Sequence, residues 1–358
     1  MSTIIALSSV SIAQPLVSSA QDKALAFIEN VLPIDCSQYN ITLRNYGKLP
    51  NSGSVEQESI TFMLEAKDST MDVICTIHEG VLTSCSMYVL TGSVVTDCTY
   101  SNQVDAARGF LEKYQAYSTM DSTELINTLS NVDTTKNTTI TSDSLKLSIN
   151  KTDASNTVFA DKIHFRWTRV YDKCEYPEFY LSFQNGLLHT MIDQRKIYTI
   201  GDNAVNISRD QAVEIALKAV ESYSYRMSAD WVISDFDVVE DKADAVLLPQ
   251  TKEGNVLYPA WTVTLPLNGT WPGSVTDLLV TIWAGTGEVD SVYHRAHGGS
   301  AFLSDNDSGS ELITTTPSPQ SSTINETPPN HDAVALITVV ILAIAIVTIT
   351  LTVKKRSR

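Results

Sequence analysis

Cysteines are the residues of this chain best suited to covalent chemistry. None of the five belongs to a Cys-x-x-Cys pair, which excludes the spacing of a thioredoxin-like or zinc-ribbon site. Cys75 and Cys85 are equidistant from Gly80, so a hairpin that turns at Gly80 would place them opposite one another. Outside the cell, that arrangement favours a disulfide.

The other three cysteines allow fewer inferences. Cys36 and Cys98 enclose the same segment and are the candidates for a second disulfide. Cys174 would then be left over. It is either buried as a small hydrophobic residue or links two chains.

Two histidine patterns resemble metal motifs. His294 and His297 have an i, i+3 spacing, but the strand predicted there places them on opposite faces. His78 and Glu79 begin like a zincin signature, although Leu82 stands where the second histidine is needed. Neither pattern predicts a metal site.

Two further clusters have alternative interpretations. We expect an acidic run to form a solvated strand edge, with calcium binding as the alternative, because the run lacks the turn glycine of an EF-hand. We expect a group of tryptophans to pack in the core, with an exposed aromatic binding surface as the alternative. The acidic run is Asp235, Asp237, Glu240, Asp241 and Asp244, and the tryptophans are Trp231, Trp261, Trp271 and Trp283.

Catalytic signatures are absent from the sequence. It contains no Gly-x-Ser-x-Gly elbow, P-loop or dinucleotide fingerprint. The formal net charge of −16 excludes a generic nucleic-acid binder, and the 43% hydrophobic content excludes a polytopic membrane protein. We therefore predict a protein that is not an enzyme, with no catalytic, metal or cofactor-binding residues and no cofactor.

The C-terminal end predicts a membrane anchor. The chain is uncharged from Ala333 to Val353, a length that spans about 31 Å as a helix. We assign residues 332–353 to a transmembrane helix and the basic residues 354–358 to a cytoplasmic tail, since cationic flanks stay inside. That tail carries +4 and residues 1–20 carry no charge, which leaves −20 for the part of the chain predicted to lie outside.

Residues 1–20 predict the export signal that this topology needs. They are small and apolar and end in Ser18-Ser19-Ala20, which suits signal peptidase. No lysine or arginine precedes the apolar run, so either the true start lies upstream of Met1 or the signal is weak.

Glycosylation sequons agree with an outside location. All seven precede the membrane segment. Residues 299–331, rich in Pro, Ser and Thr, predict a disordered stalk between body and membrane. The sequon asparagines are Asn40, Asn137, Asn150, Asn206, Asn268, Asn306 and Asn325.

Three helical segments with one shared apolar spacing indicate an internal repeat. Each has apolar residues at i, i+3, i+4 and i+7, the stripe of an amphipathic helix. Ser208 and Gln211 form a capping box for the third. The stripes are Ala24, Phe27, Ile28 and Val31; Ala107, Phe110, Leu111 and Tyr114; and Ala212, Ile215, Ala216 and Ala219.

Strands follow each helix. Hairpins are predicted over residues 74–88, 180–194 and 279–293, with Gly80, Gly186 and the Gly285/Gly287 pair in the turns. Further strands are predicted at 59–66, 159–170 and 257–266. The expected class is α+β: three repeated units of one helix packed on a small antiparallel sheet, followed by the disordered stalk and one transmembrane helix.

The third unit resembles a PepSY domain. The resemblance rests on the helix Ser208–Val220, the segment Tyr258–Val263 and the ending Leu279–Val289, in which Thr286-Gly287-Glu288-Val289 matches the family. Trp283 stands about where many members have Asp. The resemblance implies a non-catalytic extracytoplasmic module of the kind found in peptidase propeptides and membrane-associated proteins. Units one and two are similar only in outline.

The sequence thus predicts PepSY-like units at residues 21–100, 101–204 and 205–298. We expect an anchored, glycosylated binding or regulatory protein on the cell surface that restrains a peptidase or senses the envelope. Its partner would be a protein or peptide in the extracytoplasmic space, not nucleic acid. The alternative is a structural envelope or adhesion component in which the repeats are spacers. A hydrolase is the third possibility, and it would require a cleft with convergent titratable groups.

Overall fold

A computed structural model describes residues 19–49, 57–97, 99–130, 132–152, 162–228 and 230–296. The helices in this part of the chain are α1 (Ala20–Asn30), α2 (Gln103–Ser118), α3 (Thr123–Thr128) and α4 (Arg209–Val220). The first nine strands are β1 (Asn40–Leu49), β2 (Gln57–Ala66), β3 (Ser69–His78), β4 (Val81–Gly92), β5 (Thr138–Ser142), β6 (Leu145–Thr152), β7 (Lys162–Tyr171), β8 (Cys174–Gln184) and β9 (Leu187–Asp193). The later strands are β10 (Thr199–Ile200), β11 (Tyr225–Ser228), β12 (Trp231–Ile233), β13 (Asp244–Glu253), β14 (Val256–Trp271), β15 (Val275–Trp283) and β16 (Val289–Ala296).

The three longer helices are capped at their first turns. Ser19 and Asp22 form a capping box at α1, Asn102 accepts two backbone N–H groups at α2, and Ser208 and Gln211 form the predicted box at α4. The predicted stripes of α1 and α2 are fully buried; in α4, the two alanines at i and i+4 are buried and the other two positions are half-buried.

Strands β1 to β9 form one antiparallel sheet in the order β1-β2-β3-β4-β9-β8-β7-β6-β5. The central junction pairs Ser84 with Ile192, Cys85 with Met191 and Ser86 with Thr190. This junction joins the strands of the first two expected units. The expected fold class, three separate helix-on-sheet repeats, is therefore wrong: the chain is dominated by one nine-stranded sheet.

A shared core accounts for this junction. Phe27 of α1 lies edge-on to Phe110 and Tyr114 of α2, with ring centroids 6.3 and 6.2 Å apart. Both helices cover the same face of the sheet, where Cys85 and Met191 are fully buried. Pairing β4 with β9 lets the two helices bury one continuous apolar surface instead of two small ones.

The hairpin turns are confirmed. Glu79 and Gly80 have φ of 49° and 74°, and Asn185 and Gly186 have φ of 51° and 80°. Two successive positive φ values match the right-handed twist of antiparallel strands. In the third hairpin, Gly287 has φ of 76°.

A second, five-stranded sheet has its own core. β14 lies between β13 and β15, β16 follows β15, and β10 pairs in parallel with β14. α4 covers one face of this sheet, and a two-stranded ribbon of β11 and β12 lies beside it. Cys174 and Tyr176 of β8 pack with Leu257 of β14 in a small cluster where the two sheets meet.

Several predicted segments fall outside the described residues: the signal peptide up to residue 18, the stalk and the transmembrane segment at 332–353. Ser19 and Ala20, predicted to end the signal peptide, cap and begin α1. Within the described part of the chain, no helix combines the length and apolar character needed to cross a bilayer.

Candidate functional site

The two faces of the nine-stranded sheet differ in chemistry. Along β7, Ile163, Phe165 and Trp167 are at most 5% exposed and face the helices. The alternating residues Lys162, His164 and Arg166 therefore project from the opposite face, which we call the helix-free face. It is lined by half-buried polar groups.

His164 lies at the centre of this group. It pairs with Asn150 on β6 and with Ser182 on β8, and Ser182 pairs with Thr190 on β9. The Nδ1 atom of His164 is 2.6 Å from the hydroxyl of Tyr180. Four adjacent strands thus bring together side chains that are distant in sequence.

His189 on β9 is the second imidazole of the face. Its Nδ1 lies 2.8 Å from the hydroxyl of Thr190, and its Nε2 lies 3.5 Å from Nζ of Lys162. Because an ammonium group only donates, Nε2 accepts and the Nδ1 proton is donated to Thr190. The ring of Tyr88 on β4 packs edge-on at 5.6 Å.

Both imidazoles are held in the neutral form. Burial, followed by the positive charges of Lys162 and Arg166, lowers the pKa of His164 to about 4. Burial, followed by Lys162 and His164, lowers the pKa of His189 to about 4. Burial also lowers the pKa of Lys162 itself. At neutral pH the imidazoles therefore act as hydrogen-bonding groups without charge.

Lys162 and Arg166 have no acidic partner in the described part of the chain. Among the described residues, neither forms an ion pair, whereas Arg44 on β1 bonds Asp72 and Lys146 on β6 bonds Glu175. A half-buried charge without a partner is unfavourable. Guanidinium and ammonium groups are suitable donors to an anionic group.

This arrangement is suited to recognition. Within the described part of the chain, no carboxylate contacts either imidazole. Nucleophilic catalysis needs a base that is oriented by a third group beside a nucleophile. The described side chains can offer charge and hydrogen bonds to a ligand.

A second polar group is buried on the helix-covered face. Asp193 on β9, whose side chain is 2% exposed, accepts a hydrogen bond from Tyr114 of α2 at 2.9 Å. It also receives two guanidinium bonds from Arg195, at 3.0 and 2.8 Å. Arg195 in turn donates to the backbone oxygen of Asp121 just before α3 and lies over the ring of Phe179. These contacts fasten α2 and the start of α3 to the sheet.

The cysteines of the described chain are free thiols. Cys75 and Cys85 are direct partners across β3 and β4, as their spacing predicted, and both are fully buried. The disulfide between them remains a prediction. Cys36 is half-buried and Cys174 is buried, while Cys98 lies outside the described residues.

Five of the seven sequon asparagines lie in described residues, and all five are exposed: Asn40, Asn137, Asn150, Asn206 and Asn268. Asn150 stands on the helix-free face opposite His164. The side-chain amides of Asn206 and Asn268 donate to the backbone oxygen of Gly285 and to Asp237. Asn306 and Asn325 lie outside the described part, and glycosylation remains a prediction.

The other sequence candidates are dispersed. His78 ends β3 and Glu79 is in the turn, while His294 stacks on Tyr225 at 4.2 Å and bonds the hydroxyl of Tyr223. His297 is outside the described residues.

The acidic run is exposed, but the expected strand edge is largely wrong. Asp235, Asp237, Glu240 and Asp241 lie in the connection between β12 and β13, and Asp244 alone belongs to β13. No metal-binding group of acidic residues, His or Cys forms among the described residues.

The tryptophans of residues 205–298 divide between packing in the core and exposure at the surface. Trp283 is 5% exposed, and Trp261 is half-buried and donates to the backbone oxygen of Ile207. Trp271 packs beside Phe236 at 5.1 Å. Trp231 is 51% exposed on the ribbon.

Comparison with solved structures adds a distant likeness. No protein-family model matches the chain, and no curated protein matches it. Among solved structures it is similar to the YpeB C-terminal domain of Bacillus megaterium, at 12% identity and a TM-score of 0.27, over 78% of this chain and 96% of that one. We draw no argument from a likeness at this level, and the PepSY resemblance of residues 205–298 stays a resemblance.

The central residues of the helix-free face were missed from sequence. The signal was present, because Lys162, His164 and Arg166 alternate with Ile163 and Phe165 in a predicted strand. Such alternation shows which side chains share a face. It does not show which strands become neighbours.

Proposed function

We propose that this chain is a non-catalytic binding protein whose recognition surface is the helix-free face of the nine-stranded sheet. The partner is a protein or peptide. The observation that carries the proposal is the pair of half-buried cations, Lys162 and Arg166, which have no ion pair within the described chain and which flank a neutral imidazole.

The junction of β4 with β9 supports one continuous surface. Separate units would have suited a chain of spacers, whereas the shared sheet presents side chains of four strands side by side. Sheet faces and free strand edges are common sites for protein and peptide recognition.

The finer proposal adds location and role. The sequence supports a single-pass membrane protein whose glycosylated body is outside the cell and whose tail is cytoplasmic. The PepSY-like motif at residues 205–298 supports restraint of a peptidase or sensing of the envelope as the role.

A steric block tests the recognition surface. The full chain, made without N-glycosylation and purified in detergent, is used to select binders from a random peptide library. Asn150→Trp places a bulky side chain beside His164, and Thr251→Trp places the same side chain on an exposed position of β13. We expect the selected peptides to lose at least about tenfold in affinity for Asn150→Trp and to keep their affinity for Thr251→Trp. Equal affinity for both variants, or a selection that enriches no peptide, contradicts the proposal.

The structural role has its own supporting observation. The five-stranded sheet has a core of its own, distinct from that of the nine-stranded sheet. A second core between the larger sheet and the predicted stalk suits a spacer. Cell fractionation distinguishes the two roles, because a structural component is abundant and stays with the wall or lattice.

A further inference from the structure

We infer that the ligand of the helix-free face is an extended acidic peptide whose carboxylates bind Lys162 and Arg166. This inference rests on the proposed function and names the chemical class of its ligand.

Charge complementarity is the first argument. The chain carries a net charge of −16, so acidic side chains are abundant, yet none of the described ones neutralises Lys162 or Arg166. In the same sheet, Arg44 and Lys146 do have acidic partners. Among the described residues, these two half-buried cations therefore have capacity to bind an external acid.

Spacing is the second argument. Lys162 and Arg166 are four residues apart on β7, which is about 13 Å along a strand. An extended peptide lying along β7 repeats at nearly the same rise, so its carboxylates at i and i+4 would match both cations. Two separated charges therefore fit the face better than one small anion.

The neutral groups between the cations are the third argument. His164, Tyr180 and Thr190 offer donors and acceptors without charge. Such groups can hydrogen-bond the amides of a peptide backbone, while the cations bind its side chains. The negative net charge of the chain would repel an acidic peptide from other parts of the surface. Binding of such a peptide would therefore indicate the site at Lys162 and Arg166.

The test uses hexaglutamate, with hexaglutamine as the neutral match, and the full chain in detergent. Titration calorimetry at low salt should detect hexaglutamate binding and no hexaglutamine binding. Removing both cations by Lys162→Gln and Arg166→Gln should weaken binding at least about tenfold. The matched control, Arg226→Gln with Lys242→Gln, removes two exposed cations elsewhere and should leave the affinity unchanged.

A second readout separates the site from general charge attraction. Carboxylates seated at Lys162 and Arg166 would stabilise the protonated imidazoles, so bound hexaglutamate should raise the pKa of His164 and His189 above the value of about 4 in the free protein. Nuclear magnetic resonance titration of the imidazole signals measures this shift.

Three outcomes would overturn the inference: no hexaglutamate binding, equal weakening by the control pair, or unchanged histidine pKa values in the complex. Tighter binding of inorganic phosphate or of heparin would also overturn it, in favour of a small anion or an acidic polysaccharide. If hexaglutamate fails while Asn150→Trp still blocks selected peptides, the acidic class is wrong and the recognition surface stands.

Discussion

The two sheets differ in the environment of two pairs of positive charges. In the five-stranded sheet, Arg295 pairs with Asp277 at 3.2 Å, and Lys252 pairs with Glu288 at 3.2 Å while lying over the ring of Trp283. In the nine-stranded sheet, Lys162 and Arg166 remain without such partners among the described residues. Folding alone explains the paired charges, because they satisfy one another. The two charges without a described partner are those to which we assign the proposed ligand.

The largest effect should come from the buried ion pair of the nine-stranded sheet. Asp193→Ala leaves Arg195 without its ionic partner and Tyr114 with only the more distant acceptor, the backbone oxygen of Leu82, so we expect a loss of about 3–5 kcal/mol in the free energy of unfolding. Asp277→Ala is the matched change in the other sheet. Its partner Arg295 is 39% exposed, so we expect a loss of only about 1 kcal/mol.

Chemical denaturation measures both variants. Hydrogen exchange then shows where protection is lost, and for Asp193→Ala we expect the loss in α2 and the strands beneath it. If Asp193→Ala and Asp277→Ala lower the free energy of unfolding by similar amounts, the expected difference between a buried ion pair and a partly exposed one is contradicted.

The second effect is a dependence of stability on pH. The pKa values of His164 and His189 are about 4 in the folded chain and about 6.5 when unfolded, so the unfolded state binds more protons between these values. Stability is therefore full above about pH 6.5 and decreases as the pH falls towards 4. Urea unfolding across this range should show that slope.

The double variant His164→Gln, His189→Gln should flatten this slope. His78→Gln with His294→Gln is the control, because His78 ends β3 and His294 lies on β16 of the other sheet, so neither belongs to strands β6 to β9. A slope that survives the first double variant would mean that other groups cause it.

A smaller effect is expected at the helix cap of the five-stranded sheet. Ser208→Ala removes the side-chain acceptor of the capping box, which should destabilise α4 by about 1 kcal/mol. Both substitutions remove the sequon at Asn206, but Ser208→Asp keeps a side-chain acceptor for the helix cap. Comparing the two variants therefore separates the effect of capping from the effect of glycosylation. Thermal unfolding should show a lower midpoint for the alanine variant only.

Local features of the fold were predictable from sequence, and long-range pairing was not. The stripes of α1 and α2, the capping box at Ser208 and the turns at Gly80 and Gly186 depend on nearby residues alone. The junction of β4 with β9 consists of three residue pairs about one hundred positions apart. No periodicity records such a pairing, and the fold class was wrong for that reason.

The candidate site has the same limit. Alternation in β7 placed Lys162, His164 and Arg166 on one face, but their lack of acidic partners depends on where β6, β8 and β9 bring their own side chains. The pKa values of the two imidazoles likewise depend on burial and on neighbours from other strands.

The smallest expected effect tests whether the charge of Arg166 stabilises the fold. Arg166→Gln removes a half-buried cation that has no ion pair in the described chain, so the free energy of unfolding should change by less than about 0.5 kcal/mol or increase. Arg295→Gln removes a paired cation and should lower the free energy of unfolding by up to about 1 kcal/mol. Urea unfolding of the two variants at neutral pH measures both changes. If Arg166→Gln is the more destabilising substitution, the guanidinium of Arg166 stabilises the folded chain. Its lack of a described acidic partner would then no longer support binding of an acidic ligand.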